Sequence, residues 1–212
     1  VQNQTHVPLC LDTEGAQIRT GPLAEGSITV ENSAILRAHR TSDSIDVQSF
    51  NLYPANTIDS LIVGDVISID FDSVLAQVID FESNCAVLRV LNGGSFDANK
   101  AVTVDRQVDM PPLTAKDRKA LQLGLAHGIK TVALSFANRG TDIDQIRMAA
   151  GSNVTVIAKI ECRNGLINLD AIAEKADALL IDRGDLSREV PIEQIPSMQK
   201  MITAKGKSHN RK

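Results

Sequence analysis

The chain has no apolar run approaching the roughly 20 residues that span a bilayer. Its first residues are polar and lack the hydrophobic core of a secretory signal. Neither a membrane partner nor export is expected. Cysteine is scarce: Cys10, Cys85 and Cys162 are odd in number and lack metal-ligand spacing, which favours reduced, buried thiols. The glycosylation sequons Asn3-Gln4-Thr5 and Asn153-Val154-Thr155 carry no weight in a cytosolic chain. Positive charge is not in excess; a formal net charge of -4 argues against a nucleic-acid surface. There is no internal repeat and no low-complexity tract. What remains is ordinary globular composition, 212 residues with 43% apolar and 23% charged, enough for one large or two small domains. The first residue is valine, and the chain is expected to be a segment of a longer one.

Against this plain background one segment stands out. Val154-Thr155-Val156-Ile157-Ala158-Lys159-Ile160-Glu161 is an apolar run that abruptly admits two opposite charges. On a strand alternate residues share a face, so Val154, Val156, Ala158 and Ile160 make one apolar face while Lys159 and Glu161 end the other. Burying a cation and an anion two residues apart is expensive, and such pairs are usually kept for chemistry. Read alone, the pair is also compatible with a structural ion pair.

The surroundings alternate strand and helix. Thr114 with Asp117 resembles a capping box ahead of a helix with Leu121, Leu125 and Ile129 on one stripe. Thr131 to Phe136 reads as a strand, Asp142 to Met148 as a helix, Leu169 to Lys175 as a helix, and Ala178 to Ile181 as a strand ending at Arg183-Gly184-Asp185. Parallel units of this kind imply an α/β protein, part of a (β/α)8 TIM-type barrel, with Ser135, Lys159, Glu161 and Asp185 at the carboxyl ends of strands, where such barrels place their sites. From Pro22 to Asp109 the texture changes to short β runs separated by Gly, Asp, Asn and Ser, which predicts a small all-β barrel or sandwich. Before it, Val7 to Leu11 reads as an apolar strand. The expected organisation is residues 1–21 as barrel strand and hinge, 22–109 as an inserted all-β domain, and 110–212 as barrel α/β units. The Lys205 to Lys212 tail reads as the solvated end of a helix and loop.

Taken in order, these landmarks resemble the pyruvate kinase family. Leu11-Asp12-Thr13-Glu14-Gly15-Ala16-Gln17-Ile18-Arg19-Thr20-Gly21 resembles LDTKGPEIRTG, which leads into that family's mobile β-barrel lid. Val63-Gly64-Asp65 and Asn92-Gly93-Gly94-Ser95 resemble lid stretches, and Val108-Asp109-Met110-Pro111 to Lys116-Asp117 resembles VDLPALSEKD. Leu134-Ser135-Phe136, Ala158-Lys159-Ile160-Glu161 and Arg183-Gly184-Asp185-Leu186 match LSF, AKIE and RGDL. The chain departs at Glu14-Gly15-Ala16-Gln17, where the family has KGPE, at Asp182, where it has alanine, and at Ser187, where it has glycine. In the lid, DDG becomes Asp70-Phe71-Asp72 and GVNLPG becomes Ala101 to Arg106.

The resemblance implies a cytoplasmic glycolytic transferase, oligomeric as the full-length parent, that moves a phosphoryl group between phosphoenolpyruvate and ADP, giving pyruvate and ATP. It implies that Glu161 and Asp185 hold magnesium or manganese, and that Asp12 and Thr13 are ligands of potassium. It further implies that Lys159 is the catalytic cation beside the transferring group. Ser135 and the Gly184 and Asp185 amides would bind substrate, and Arg19 and Lys100 the nucleotide phosphates. Two alternatives stand beside it: a non-catalytic module of the same family that binds metal or phosphometabolites, and a metal-dependent lyase or aldolase that stabilises a pyruvate enolate.

Overall fold

The computed structural model describes residues 7–41, 46 and 48–211; the Asn3-Gln4-Thr5 sequon and Lys212 lie outside them. Strand β1 (Cys10–Asp12) is the first element among the described residues. Then come β2 (Ile18–Thr20), β3 (Ser27–Val30), β4 (Ile35–His39), β5 (Ser49–Tyr53) and the one-turn α1 (Thr57–Ser60). Strands β6 (Val66–Ile69), β7 (Val74–Glu82), β8 (Cys85–Asn92), β9 (Gly94–Asp97) and β10 (Ala101–Val104) complete the all-β region. Helix α2 (Ala115–Ala126), β11 (Thr131–Leu134), α3 (Gly140–Ala150) and β12 (Thr155–Ile160) follow. The last elements are α4 (Arg163–Ile167), α5 (Leu169–Lys175), β13 (Ala178–Ile181), α6 (Arg183–Leu186) and α7 (Ile195–Ser208). No helix among the described residues is long and apolar enough to cross a membrane.

Two compact units result, one of residues 1–16 and 110–212, the other of residues 17–109. In the first, four strands form a parallel sheet in the order β1-β11-β12-β13, half the number a (β/α)8 barrel contains. Its core is made by Val156, Ala158 and Ile160 of β12, Val132 and Leu134 of β11, and Ile143 and Ile146 of α3. The apolar alternation along β12 thus points into the helix layer. In the second unit seven strands close into a barrel in the order β10-β2-β5-β4-β8-β7-β6, with β3 and β9 as a separate ribbon. All pairs in the barrel are antiparallel except β4 with β5. Its interior is filled by Leu36, Phe50, Leu52, Ile67, Ile69 and Leu88, with Phe50 and Phe96 edge to face at 5.3 Å.

Several boundaries differ from the sequence expectation. Gly21 was expected to close the hinge, but β2 pairs with β5 and β10, so the all-β unit already includes Gln17 to Gly21. The Val7 to Leu11 strand shortens to Cys10–Asp12, since Pro8 has no N–H for a ladder and Val7 is exposed. The capping box forms: Asp117 N donates to Thr114 Oγ1 and Thr114 N to Asp117 Oδ2. Helix α2 nevertheless stops before Ile129, because Gly128 takes a left-handed φ of 76° and Ile129 N closes on Gly124 O. Helix α3 starts ahead of Asp142, whose carboxylate accepts the N–H groups of Asn138 and Arg139. The basic tail is the end of a helix with Lys207 and Ser208 exposed, as expected, while Lys205 pairs with Asp170 and Arg211 donates to Ala173 O and Glu174 O. Cys85 and Cys162 are buried as expected, whereas Cys10 is exposed at the start of an edge strand.

Two stability outcomes follow from this packing. Ile146→Ala leaves a void in a layer with no solvent access, and a loss of about 2–5 kcal/mol in denaturant unfolding is expected. In the barrel unit, buried Asp65 accepts from Arg106 Nε at 2.7 Å, Arg106 Nη2 at 2.8 Å and Ile62 N at 2.9 Å. Arg106→Met strands that carboxylate, and about 3 kcal/mol should be lost, the low end for a broken buried pair because Arg106 itself reaches solvent.

Candidate active site

Lys159 lies near the carboxyl end of β12, and its Nζ meets three oxygen-bearing side chains. It donates to Ser135 Oγ at 3.0 Å and to Asp12 Oδ1 at 3.3 Å, and it pairs with Glu161 Oε1 at 3.0 Å. These groups come from three adjacent parallel strands, since β1, β11 and β12 run side by side and place Asp12, Ser135 and Lys159 at one end. Ser135 in turn donates from Oγ to Asp12 Oδ1 at 3.1 Å, and its N–H goes to Thr13 Oγ1 at 3.0 Å.

Glu161 is 1% exposed. Its Oε2 accepts the N–H of Phe136 at 2.6 Å, and its Oε1 makes no hydrogen bond of good geometry beyond the Lys159 ion pair. Phe136 must take a left-handed φ of 52° to present that N–H, a strained choice for an aromatic residue. Burial pushes the Glu161 carboxyl above its ordinary range, with Phe136 and Lys159 opposing and Asp185 adding to the rise. For Lys159 burial pulls downward, but Glu161 and then Asp12 outweigh it, so its pKa lies above the ordinary lysine value. Burial thus works against the Glu161 charge, while the Phe136 N–H and Lys159 support it.

Glu161, Asp182 and Asp185 bring carboxylate oxygens within 4.8 Å of one another. Hard oxygen donors at that spacing suit magnesium or manganese. The formal charges agree: four carboxylates (Asp12, Glu161, Asp182, Asp185) face two cations, Lys159 and Arg188, leaving room for a divalent ion.

The structure gathers Asp12, Ser135, Lys159, Glu161 and Asp185 in one unit. Thr13 is buried and spends its hydroxyl on Ser135 N, so its side chain is committed to the strand ends. Arg19 and Lys100 belong to the all-β unit, Arg19 on β2 and Lys100 just before its neighbour β10. There Arg19 donates to Asn99 O at 2.9 Å, and Lys100 pairs with Asp70 at 3.0 Å rather than standing solvated. Gly184 and Asp185 lie in α6, not at a strand end, and their N–H groups are taken by Asp182 Oδ1 at 3.1 and 3.3 Å. Sequence reasoning noted Asp182 only as a departure; its place just before two helical N–H groups was the signal of a cap. Arg188, which pairs with Asp185, was missed altogether, because nothing local announces an arginine folding back one turn.

A Gly15 Cβ would lie 2.2 Å from Ser135 O, and φ there is 71°, so this glycine lets the Asp12 loop close over β11. Asp117 fixes the same loop by accepting Glu14 N at 2.8 Å and Gly15 N at 3.3 Å.

A lysine and carboxylates at the carboxyl ends of parallel strands, in a chain that also carries an inserted closed β-barrel, define an α/β-barrel protein with its polar site on the strand-end face. The family profile described as pyruvate kinase, barrel domain, matches residues 1–212. The chain is 36% identical to pyruvate kinase 2 of Saccharomyces cerevisiae, an alignment covering 93% of the chain and 41% of that protein. It is 33% identical to pyruvate kinase of Geobacillus stearothermophilus over 94% of the chain and 35% of that protein. With pyruvate kinase of Agaricus bisporus it shares 32% identity over 97% of the chain and 41% of the relative. The chain belongs to the pyruvate kinase family, and it spans about two fifths of the length of the curated relatives it matches.

The raised Glu161 pKa gives a signed expectation. A carboxyl with a raised folded pKa contributes stability that is full below its unfolded value, about 4.3, and that is lost as pH rises through the folded value. Glu161→Gln keeps an acceptor for Phe136 N but does not titrate. Its stability relative to the parent should therefore improve steadily as pH climbs through that window, measured as denaturation midpoints at a series of pH values. A flat difference would remove the raised pKa from the account.

Proposed function

We propose that the chain is part of a phosphotransferase that moves the phosphoryl group of phosphoenolpyruvate to ADP, giving pyruvate and ATP in the cytoplasmic reactions of glycolysis. The carrying observation is the Lys159 ammonium, fixed by Ser135, Asp12 and Glu161 at the ends of three parallel strands. Phosphoryl transfer needs placement and neutralisation of charge more than covalent help. A cation held in advance on three acceptors suffers little reorganisation as charge develops on the enolate and phosphoryl oxygens.

Glu161 and Asp185 would hold magnesium or manganese, and Asp182 lies close enough to add a third oxygen. The bound ion would supply positive charge to the substrate oxygens. Lys159 orients the phosphoryl side, Ser135 relays between Lys159 and Asp12, and the deep burial of Glu161 keeps water from its carboxylate. Asp12 is the side chain left open enough for a monovalent ion such as potassium, with Thr13 beside it. The Gly184 and Asp185 amides would receive the substrate carboxylate in exchange for Asp182. Arg19 and Lys100 would serve the nucleotide phosphates. A homo-oligomer is the proposed state of the full-length protein.

The test is pyruvate formation by the full-length protein with phosphoenolpyruvate, ADP and magnesium. Lys159→Met should lower turnover by at least about 100-fold with the fold retained, and Glu161→Ala should abolish it together with manganese binding. Turnover that survives Lys159→Met unchanged would remove Lys159 from the chemistry.

A further inference from the structure

Arg188 follows α6 and folds back one turn so that its Nη2 contacts Asp185 Oδ1. Its side chain is 6% exposed, and the guanidinium carbon sits 5.5 Å from the centre of the Phe136 ring. A guanidinium this deeply buried is costly to desolvate and is tolerated only where it is paired and stacked. Both conditions are met here, and both partners belong to the candidate site. Phe136 is the residue whose N–H holds Glu161 Oε2, so one residue faces Glu161 with its backbone and Arg188 with its ring.

The charge arrangement makes the consequence specific. Glu161, Asp182 and Asp185 crowd carboxylate oxygens within 4.8 Å, which is repulsive unless a cation stands among them. Lys159 serves Glu161, and Arg188 serves Asp185. Arg188 therefore occupies one carboxylate oxygen of Asp185, a residue that a divalent ion would draw on, and it adds a positive charge beside the cluster.

We propose that Arg188 is a resident counter-ion of Asp185 that sets the affinity of the site for its divalent cation. It holds the carboxylate in place while the ion is absent, and the guanidinium is displaced from Asp185 Oδ1 when the ion binds. The proposal rests on the reading of Glu161 and Asp185 as the cation's ligands. Arg188 acts through Asp185 and is a positioning residue; it does not take part in the transfer itself.

The experiment is titration of the full-length protein with manganese alone, followed by the resonance of the free ion, so that occupancy is read without substrate or turnover. Arg188→Met removes the competing charge and should tighten manganese binding about tenfold or more, the scale of one charged hydrogen bond. Arg188→Lys keeps the charge but loses the planar fork, and should fall between the two. Unchanged or weaker binding in Arg188→Met overturns the proposal. Should that variant not fold, Arg188→Lys decides alone: tighter binding supports the proposal, and unchanged or weaker binding overturns it. Binding that is lost in Glu161→Ala yet indifferent to Arg188 leaves the ligand assignment standing and removes only the role of Arg188. Failure of the parent and every variant to bind manganese removes both.

Discussion

The site depends on the ion pair of Lys159 with Glu161 at the carboxyl end of β12. A carboxylate that is 1% exposed cannot keep its charge without local partners, and Glu161 has Lys159 on one oxygen and a single backbone N–H on the other. That N–H belongs to Phe136, so the chain after β11 must turn with a left-handed φ at a bulky residue. The turn also puts Ser135 Oγ against Lys159 and sends Ser135 N to Thr13. Thr13 and Asp12 must then approach closely, which only a glycine at position 15 allows. One buried charge thus dictates the conformation of three successive strand ends.

The all-β unit follows another logic. Its interior is apolar on alternate residues, as in β7, where Val74, Ala76 and Val78 are buried and Leu75 and Gln77 are less so. Its deeply buried charge, Asp65, is paired with Arg106 and accepts a further hydrogen bond from Ile62 N. Asp65 is thereby a structural anchor. Lys159 differs because its partners sit where the strands end and the surface opens, with Asp12 largely exposed. The same pairing of opposite charges closes a barrel in one unit and poises an ammonium in the other.

Much of this was legible from period and punctuation. The apolar face of β12, the Thr114 capping box and the α5 and β13 spans followed from alternation, caps and breakers, because each is decided by residues adjacent in sequence. The short strands β2 to β5 were not, since runs of three to five residues show too few repeats to set a period. In the site, Lys159, Glu161 and Asp185 announced themselves as charges at the ends of apolar runs. Arg188 and the Phe136 N–H did not, because their roles depend on a turn and on a side chain reversing direction. Asp117 shows the limit well: its cap was visible, while its hold on Glu14 and Gly15 spans a hundred residues of chain and needed the fold.

The departures from the family pattern carry their own compensation. Glu14 replaces a lysine beside the strand-end site, and its carboxylate is drawn away onto Lys116 and Thr114 at the head of α2. Asp182 replaces an alanine, and its Oδ1 is spent on two N–H groups at the head of α6. A neutral cap would satisfy those amides equally well without adding negative charge beside Glu161 and Asp185. The added charge is balanced by Arg188 on Asp185, so the cluster gains an anion and answers it with a nearly buried cation. The four-centre contact of Asp12, Ser135, Lys159 and Glu161 survives these changes, because the altered residues engage helix starts rather than the strand ends. Those altered residues change the charge around the four side chains without joining their contacts, and Asp182 adds its charge beside Glu161 and Asp185.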